Sequence, residues 1–232
     1  MTKVYLYDDK IGSVELVQHM GEDITIVNSA RVSFGVQKDE VDEKDKKLIN
    51  YLIKHRHTST LEHNIATFRI KVPLFVRSQH HRHRTWSYNE ISRRYTESNL
   101  EFYTPKSFRT QHKSNRQSSN LDELINPIVD SYPQMLESRY CDEAVAYHTL
   151  MSVKLFEDMI DKGVAKEQAR MMLPQNLYTE YYATANLNNI FKFIDLRTHE
   201  GAQYEIQVLA RGMNQIISDL WPIAVESYNN NK

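Results

Sequence analysis

Cysteine is almost missing from this chain of 232 residues: Cys141 stands alone. No intramolecular disulfide can form, which fits a reducing compartment. Glycine is nearly as sparse. The six glycines are scattered, so neither G-x-G-x-x-G nor a Walker A loop is present, and a phosphate here must be held by arginine, lysine, hydroxyls or helix N-termini. Excess charge of one sign is also missing. The formal net charge is −1, which removes a global electrostatic case for nucleic acid or membrane as the main partner. No apolar run approaches the roughly 18 residues of a membrane span. The opening stretch MTKVYLYDDKIGS has no apolar h-region, so no secretory signal is expected there and the expected location is cytoplasmic.

What remains is an ordinary globular composition, 41% hydrophobic and 25% charged, long enough to bury a substantial core. KVYLYDD and SVELVQHM read as two short strands, and a helix is expected from about Asp23. In DEKDKKLINYLIKHRH, Leu48, Ile49, Leu52 and Ile53 share a helix face. NIATFRIKV alternates, with Ala66, Phe68, Ile70 and Val72 on one side, and so predicts a strand with one buried face. LFVRSQHHRH predicts a short helix near Pro73. Residues 103–120 are polar and aperiodic and read as a mobile loop. A helical stretch over about 121–162 is expected, broken or bent near Pro127 and Pro133, with Ala144, Tyr147, Met151 and Leu155 as its apolar stripe. AKEQARMML predicts another short helix. NLYTEYYATAN reads as a strand. LNNIFKFIDLR and YEIQVLARGMNQIISDLW read as helices, the latter with Ile206, Leu209, Met213, Ile216 and Leu220 in register. The expected fold class is α+β: a single domain over residues 1–232 with a small, mostly antiparallel sheet flanked by long helices.

Charge is concentrated in one place. RSQHHRHRTWSYNEISRRY, Arg77–Tyr95, holds five arginines and three histidines around one glutamate, Glu90. Three uses compete. His80 and His83 have metal-ligand spacing on a helix, but Arg82 and Arg84 oppose a cation and no Cys or Asp completes a set. Trp86, Tyr88 and Tyr95 among arginines would suit single-stranded nucleic acid, but the basic footprint is short. A pocket for a small phosphorylated ligand uses both the arginine forks and the hydrogen-bonding Ser87, Asn89, Glu90 and Ser92.

RHRTWSYNEISRRY, Arg82–Tyr95, resembles the signature R-H-R-x-x-S-x-N-E-x-S-x-R-Y of flavin-dependent thymidylate synthases at all nine specified positions. ARVSF (30–34), HTSTLEH (57–63), LPQNLYT (173–179) and LR…AQYEI (196–206) resemble family segments in the same order. The likeness spans roughly residues 3–225 and is weakest over 103–135.

The resemblance implies a methyltransferase that converts dUMP to dTMP. Methylenetetrahydrofolate is the carbon donor, FAD the hydride carrier and NADPH the reductant, and no protein nucleophile is used. It implies neither a metal nor nucleic acid or membrane as partner. It implies a homotetramer whose active sites each draw on several subunits, so motifs far apart in one chain need not converge within it. By the same resemblance Arg170 and Arg197 bind uracil and stabilise developing charge. Gln79, Arg82, Glu90, Ser92, Arg93 and Arg94 hold dUMP. Ser33, His57, Ser59, Glu62, Arg82, His83, Arg84 and Asn186 contact the flavin, with Asn89 and Tyr95 as supports. Read without the resemblance, Glu62 would be a surface carboxylate opposite Arg69, and Ser92 has no triad partner in view. Cys141, within the predicted long helix, reads as a small buried hydrophobe rather than a nucleophile. The chain departs from the family pattern in three places. Asn188 and Lys192 stand where relatives often carry arginine and asparagine, and Gly201 where a histidine is frequent. Lys192 and His199 are the residues positioned to compensate, Lys192 toward FAD.

Overall fold

The computed structural model describes residues 2–94, 99–130 and 138–232. Its compact units are two. One comprises Met1–Lys71, Gln79–Asn89 and Glu180–Lys232, the other Val72–Ser78 and Glu90–Thr179.

The first unit is built on a five-stranded sheet in the order β1-β2-β3-β9-β4, from β1 (Lys3–Tyr5), β2 (Ser13–Met20), β3 (Ile65–Pro73), β4 (Ser87–Glu90) and β9 (Tyr178–Asn186). β1 pairs antiparallel with β2, and β2 with β3, with an irregularity between Leu16 and Gln18. The alternation in β3 is realised as expected: Ala66, Phe68, Ile70 and Val72 are all buried. Helix α7 (Tyr204–Leu220) packs on β1 and β2 through the face that carries Ile206, Leu209, Met213 and Ile216. Against it pack α6 (Leu187–Thr198) and α8 (Pro222–Asn230), and α1 (Asp23–Arg31) and α2 (Glu43–Lys54) pack on α8. The sequence reading did not resolve α8, whose start is held from a distance. The Asp23 carboxylate accepts the N–H groups of Ile223 and Ala224, both at 3.0 Å, and Trp221 Nε1 donates to the Gly21 carbonyl at 2.8 Å. The two Asp23 contacts satisfy backbone donors that the first turn of a helix leaves unpaired. Gly21 itself sits at φ +83°, against Asn64.

In the second unit α5 (Lys166–Ala169) leads into a 3-10 turn, Arg170–Met172. Its core is Phe156, Ala169, Leu173 and Leu177, with Leu74 of α3 (Leu74–His80) and Phe102 against it. Two expectations are corrected here. Residues 103–120 are not an irregular loop, because β5 (Phe108–Gln111) pairs antiparallel with β6 (Ser119–Ile125). The hairpin is joined by polar side chains: Arg109 Nε donates to Ser119 Oγ and Thr110 Oγ1 to Glu123. With no buried face it has no apolar alternation to read. The helix expected over 121–162 is α4, Cys141–Asp161 only, preceded by β6 and by β7 (Ile128–Val129) paired with β8 (Arg139–Tyr140). The Pro127 carbonyl accepts the Cys141 N–H, and Asn126 exchanges two hydrogen bonds with Asp142, so the segment around Pro127 caps the helix rather than bending it. Pro133 lies outside the described residues. The buried stripe of α4 runs through Ala144 and Phe156, whereas Met151 and Leu155 are exposed and Tyr147 is partly buried. Cys141, the first residue of the helix, is only partly buried, so it is not a core hydrophobe. Among the described residues no helix is long and apolar enough to cross a membrane.

Candidate active site

In the second unit a cavity of about 320 Å³ collects Glu90, Ser92, Arg93 and Arg170 from the predicted substrate set, together with Arg77 and Thr179, over an apolar floor of Leu74, Leu173 and Leu177. Three chain segments converge. β4 ends on Glu90, the 3-10 turn presents Arg170, and β9 begins beside Thr179. Glu90 is held through one oxygen: Oε1 accepts the Thr179 hydroxyl at 2.6 Å and lies 3.1 Å from Arg77 Nε. The Arg77 contact is an ion pair without hydrogen-bond alignment, so among the described residues that buried N–H donor has no hydrogen-bond acceptor. Burial depresses the Arg93 guanidinium below its ordinary range, and the Glu101 charge partly offsets this. The cavity thus offers guanidinium forks and a hydroxyl to an anion, and a fixed carboxylate to a hydroxyl or imide donor. Arg94 is turned outward. Its Nη2 meets Glu167 at 3.4 Å, while its backbone N–H donates to Ser92 Oγ at 3.3 Å.

In the first unit Arg197, near the end of α6, donates through Nε to His83 Nε2 at 3.1 Å and through Nη2 to the Gln79 carbonyl at 3.2 Å. Gln79 in turn donates to Gln203 at 2.5 Å. Three predicted residues, Gln79, His83 and Arg197, are thereby joined across more than a hundred positions of sequence. Burial, and then the Arg197 charge, push His83 down to about 4, so at neutral pH its ring is uncharged and Nε2 is free to accept. Because Arg197 occupies that lone pair, His83 does not present it to a metal. His80 is fully buried among Trp86, Tyr88, Tyr181 and Phe193, with Nδ1 2.9 Å from the Tyr181 hydroxyl, and is a core residue. Among the described residues, Arg82 and Arg84 are exposed and enter no ion pair.

The first unit also carries a larger cleft, about 680 Å³, between the end of α2 with the turn after it and the outer side of α6. Lys192 lines it, and so do Thr58 and Leu61, which flank the predicted Ser59 and Glu62. The expectation that Glu62 faces Arg69 is corrected. Arg69 pairs with Glu180 at 2.7 Å, whereas Glu62 accepts from Asn188 Nδ2 at 3.0 Å. Asn186 caps α6, its Oδ1 accepting the Asn189 N–H. His57, Ser59 and Ser33 are exposed, and Ser33 Oγ donates to the Ala30 carbonyl in its own turn. A cleft of this size, with cations at its rim and apolar walls, fits a bound flavin dinucleotide. Tyr95 lies outside the described residues. The sequence reading missed Arg77 and Thr179 as partners of Glu90. Arg77 was visible only as one charge of the cluster, and Thr179 only as the end of LPQNLYT.

Residues 15–223 match the family model described as thymidylate synthase complementing protein. A flavin-dependent thymidylate synthase of Thermus thermophilus is 44% identical over 214 residues, covering 92% of this chain and 74% of that protein. The one from Kosmotoga olearia is 38% identical over 222 residues, covering 94% and 90%. The crystal structure of the UMP/dUMP methylase PolB from Streptomyces cacaoi, bound with 5-Br UMP, superposes with a TM-score of 0.77 at 30% identity, over 94% of this chain and 93% of that one. With a family match over residues 15–223 and relatives 38–44% identical across more than nine-tenths of its length, the chain belongs to the flavin-dependent thymidylate synthase family.

Proposed function

We propose that the protein methylates dUMP to dTMP reductively, as a single catalytic domain, with methylenetetrahydrofolate as carbon donor, FAD as hydride carrier and NADPH as reductant. The observation that carries this reading is the second-unit cavity, where Glu90, Ser92, Arg93 and Arg170 surround one small space that Cys141 does not line. Uracil C5 is a poor nucleophile until something adds at C6. A thiolate is one solution, but the only thiol here sits at the start of α4. A bound flavin supplies the other, a hydride.

The protein's part is then binding, orientation and charge stabilisation. Arg93, Arg170 and the Ser92 hydroxyl take the phosphate and uracil oxygens. Glu90, fixed through Oε1, accepts from the nucleotide with its second oxygen. Arg197, anchored by His83 and Gln79, stabilises negative charge on the uracil carbonyls as addition proceeds. Arg82, Arg84, His57, Ser59, Glu62 and Lys192 hold the flavin. The working form in this reading is a homotetramer in the cytoplasm whose active sites each draw on several subunits.

The test is turnover of dUMP with all three co-reactants by the wild type and by Cys141→Ser. Both should be yellow, should oxidise NADPH faster when dUMP is present, and should release dTMP. A colourless protein that takes up no flavin, or a covalent Cys141–nucleotide adduct, would refute the reading.

A further inference from the structure

Gln203 holds the N-cap position of α7, where Ser, Thr, Asp or Asn would close the helix end with a side-chain oxygen. The Gln203 side chain makes no such bond. Its amide is engaged at both ends instead. Nε2 donates to Glu205 Oε2 at 2.9 Å, and Oε1 accepts from Gln79 Nε2 at 2.5 Å. Glu205 is buried in the first turn of α7, and the Tyr7 hydroxyl donates to its backbone carbonyl at 3.1 Å. Neither Gln203 nor Glu205 is among the residues assigned above to nucleotide or flavin.

These bonds have a fixed direction. A carboxylate offers only acceptors, so the NH2 end of Gln203 must face Glu205 and its carbonyl oxygen must face Gln79. Gln79 can meet that oxygen only with its own NH2 end. The main chain of Gln79 is held as well, since its carbonyl accepts Arg197 Nη2 at 3.2 Å. A free glutamine side chain samples many rotamers with either end of the amide outward, and ordering it on binding subtracts from affinity. Here a buried carboxylate, acting through one amide, orders the next amide before a ligand arrives.

We propose that Gln203 is a positioning residue for the nucleotide: it fixes the place and direction of the Gln79 amide that meets dUMP, and Glu205 sets the direction of Gln203. The proposal rests on the enzyme reading, in which Gln79 is one of the groups that hold dUMP.

Full-length protein with flavin bound is titrated with dUMP by calorimetry, and steady-state kinetics give kcat and KM. Gln203→Met keeps the size of the side chain without its amide, and Glu205→Gln lets Gln203 face either way. Each should weaken dUMP binding about tenfold, while kcat at saturating dUMP stays within about twofold of wild type and the visible flavin spectrum is unchanged. The decisive variant exchanges the two groups, Gln203→Glu with Glu205→Gln. It keeps an acceptor against Gln79 and a donor–acceptor pair between positions 203 and 205, so dUMP affinity should return to within about threefold of wild type. Wild-type affinity in either single variant, or an exchange variant as weak as the single ones, overturns the proposal. So does a fall in kcat as large as the fall in affinity, which marks a general structural role. If Gln203→Met does not fold, the exchange decides by itself. Turnover by the wild type leaves the enzyme reading intact in each of these cases. A wild type that neither binds nor methylates dUMP ends both.

Discussion

Arg197 and His83, 114 positions apart in sequence, meet at 3.1 Å with the guanidinium as donor and the imidazole as acceptor. The pairing works only while the ring is neutral, and burial together with the Arg197 charge keeps it so. Two of the five N–H groups of Arg197 are spent on His83 and the Gln79 carbonyl, which orients the fork and leaves the rest for a ligand. A cation fixed in this way reorganises little when charge develops near it, which is how such donors speed a reaction.

Arg197→Ala should therefore lower turnover at saturating dUMP by two to three orders of magnitude, roughly 3 kcal/mol of lost transition-state stabilisation. Steady-state kinetics decide it. Wild-type turnover in the variant would remove the role assigned here.

The same pair makes stability depend on pH. The folded pKa of His83 is about 4 against an ordinary 6.5, so between those values the unfolded chain takes up a proton that the folded chain refuses. Stability from this residue is complete above about pH 6.5, declines as pH falls through the window and levels off below 4. Its partial exposure reduces the effect to about 1–2 kcal/mol. Thermal melts from pH 7 to 4.5 should show the decline, and His83→Gln should flatten it.

Glu90→Gln removes the charge opposite Arg77 and turns one fixed acceptor partly into a donor. Affinity for dUMP should fall about ten- to a hundredfold, by loss of one or two charge-assisted bonds. Calorimetric titration reads this directly, and an unaltered dissociation constant would place the nucleotide elsewhere.

Ser92→Ala should weaken dUMP binding yet leave residual turnover, since the hydroxyl only donates to the ligand. Rapid-quench kinetics would expose the opposite pattern, lost chemistry with undiminished affinity, which would make Ser92 a nucleophile.

Gly21→Ala should destabilise the fold by about 1–3 kcal/mol. The new Cβ would lie 3.0 Å from Asn64 Cγ and 3.1 Å from the His63 carbonyl, on a backbone at φ +83°. Chemical denaturation measures it. The loss should appear in the midpoint with little change in slope.

Much of this protein was legible before any coordinates. The period-2 pattern of β3 and the 3–4 spacing in α7 come from the geometry of a single element, so a local reading recovers them. The hairpin of β5 and β6 escaped because neither strand has an apolar face. The helix expected over 121–162 overreaches the start of α4 because polar helix and polar strand look alike without a core to face. Within α4, Met151 and Leu155 have the spacing of a buried stripe and still point outward, because which face is covered depends on neighbours that spacing does not name.

The signature residues and their chemical types are a property of the chain alone. Scattered glycines and a knot of arginines left three uses of the basic cluster open from the residues alone, among them a pocket for a small phosphorylated ligand, and the resemblance chose between them. The partner of each group was decided only in three dimensions: Thr179 and Arg77 on one oxygen of Glu90, Asn188 rather than Arg69 on Glu62, and His83 under Arg197. Those pairings bring together groups separated by 13 to 126 positions. Charge and hydrogen bonding act over a few ångströms of space, a distance that position along the chain does not measure.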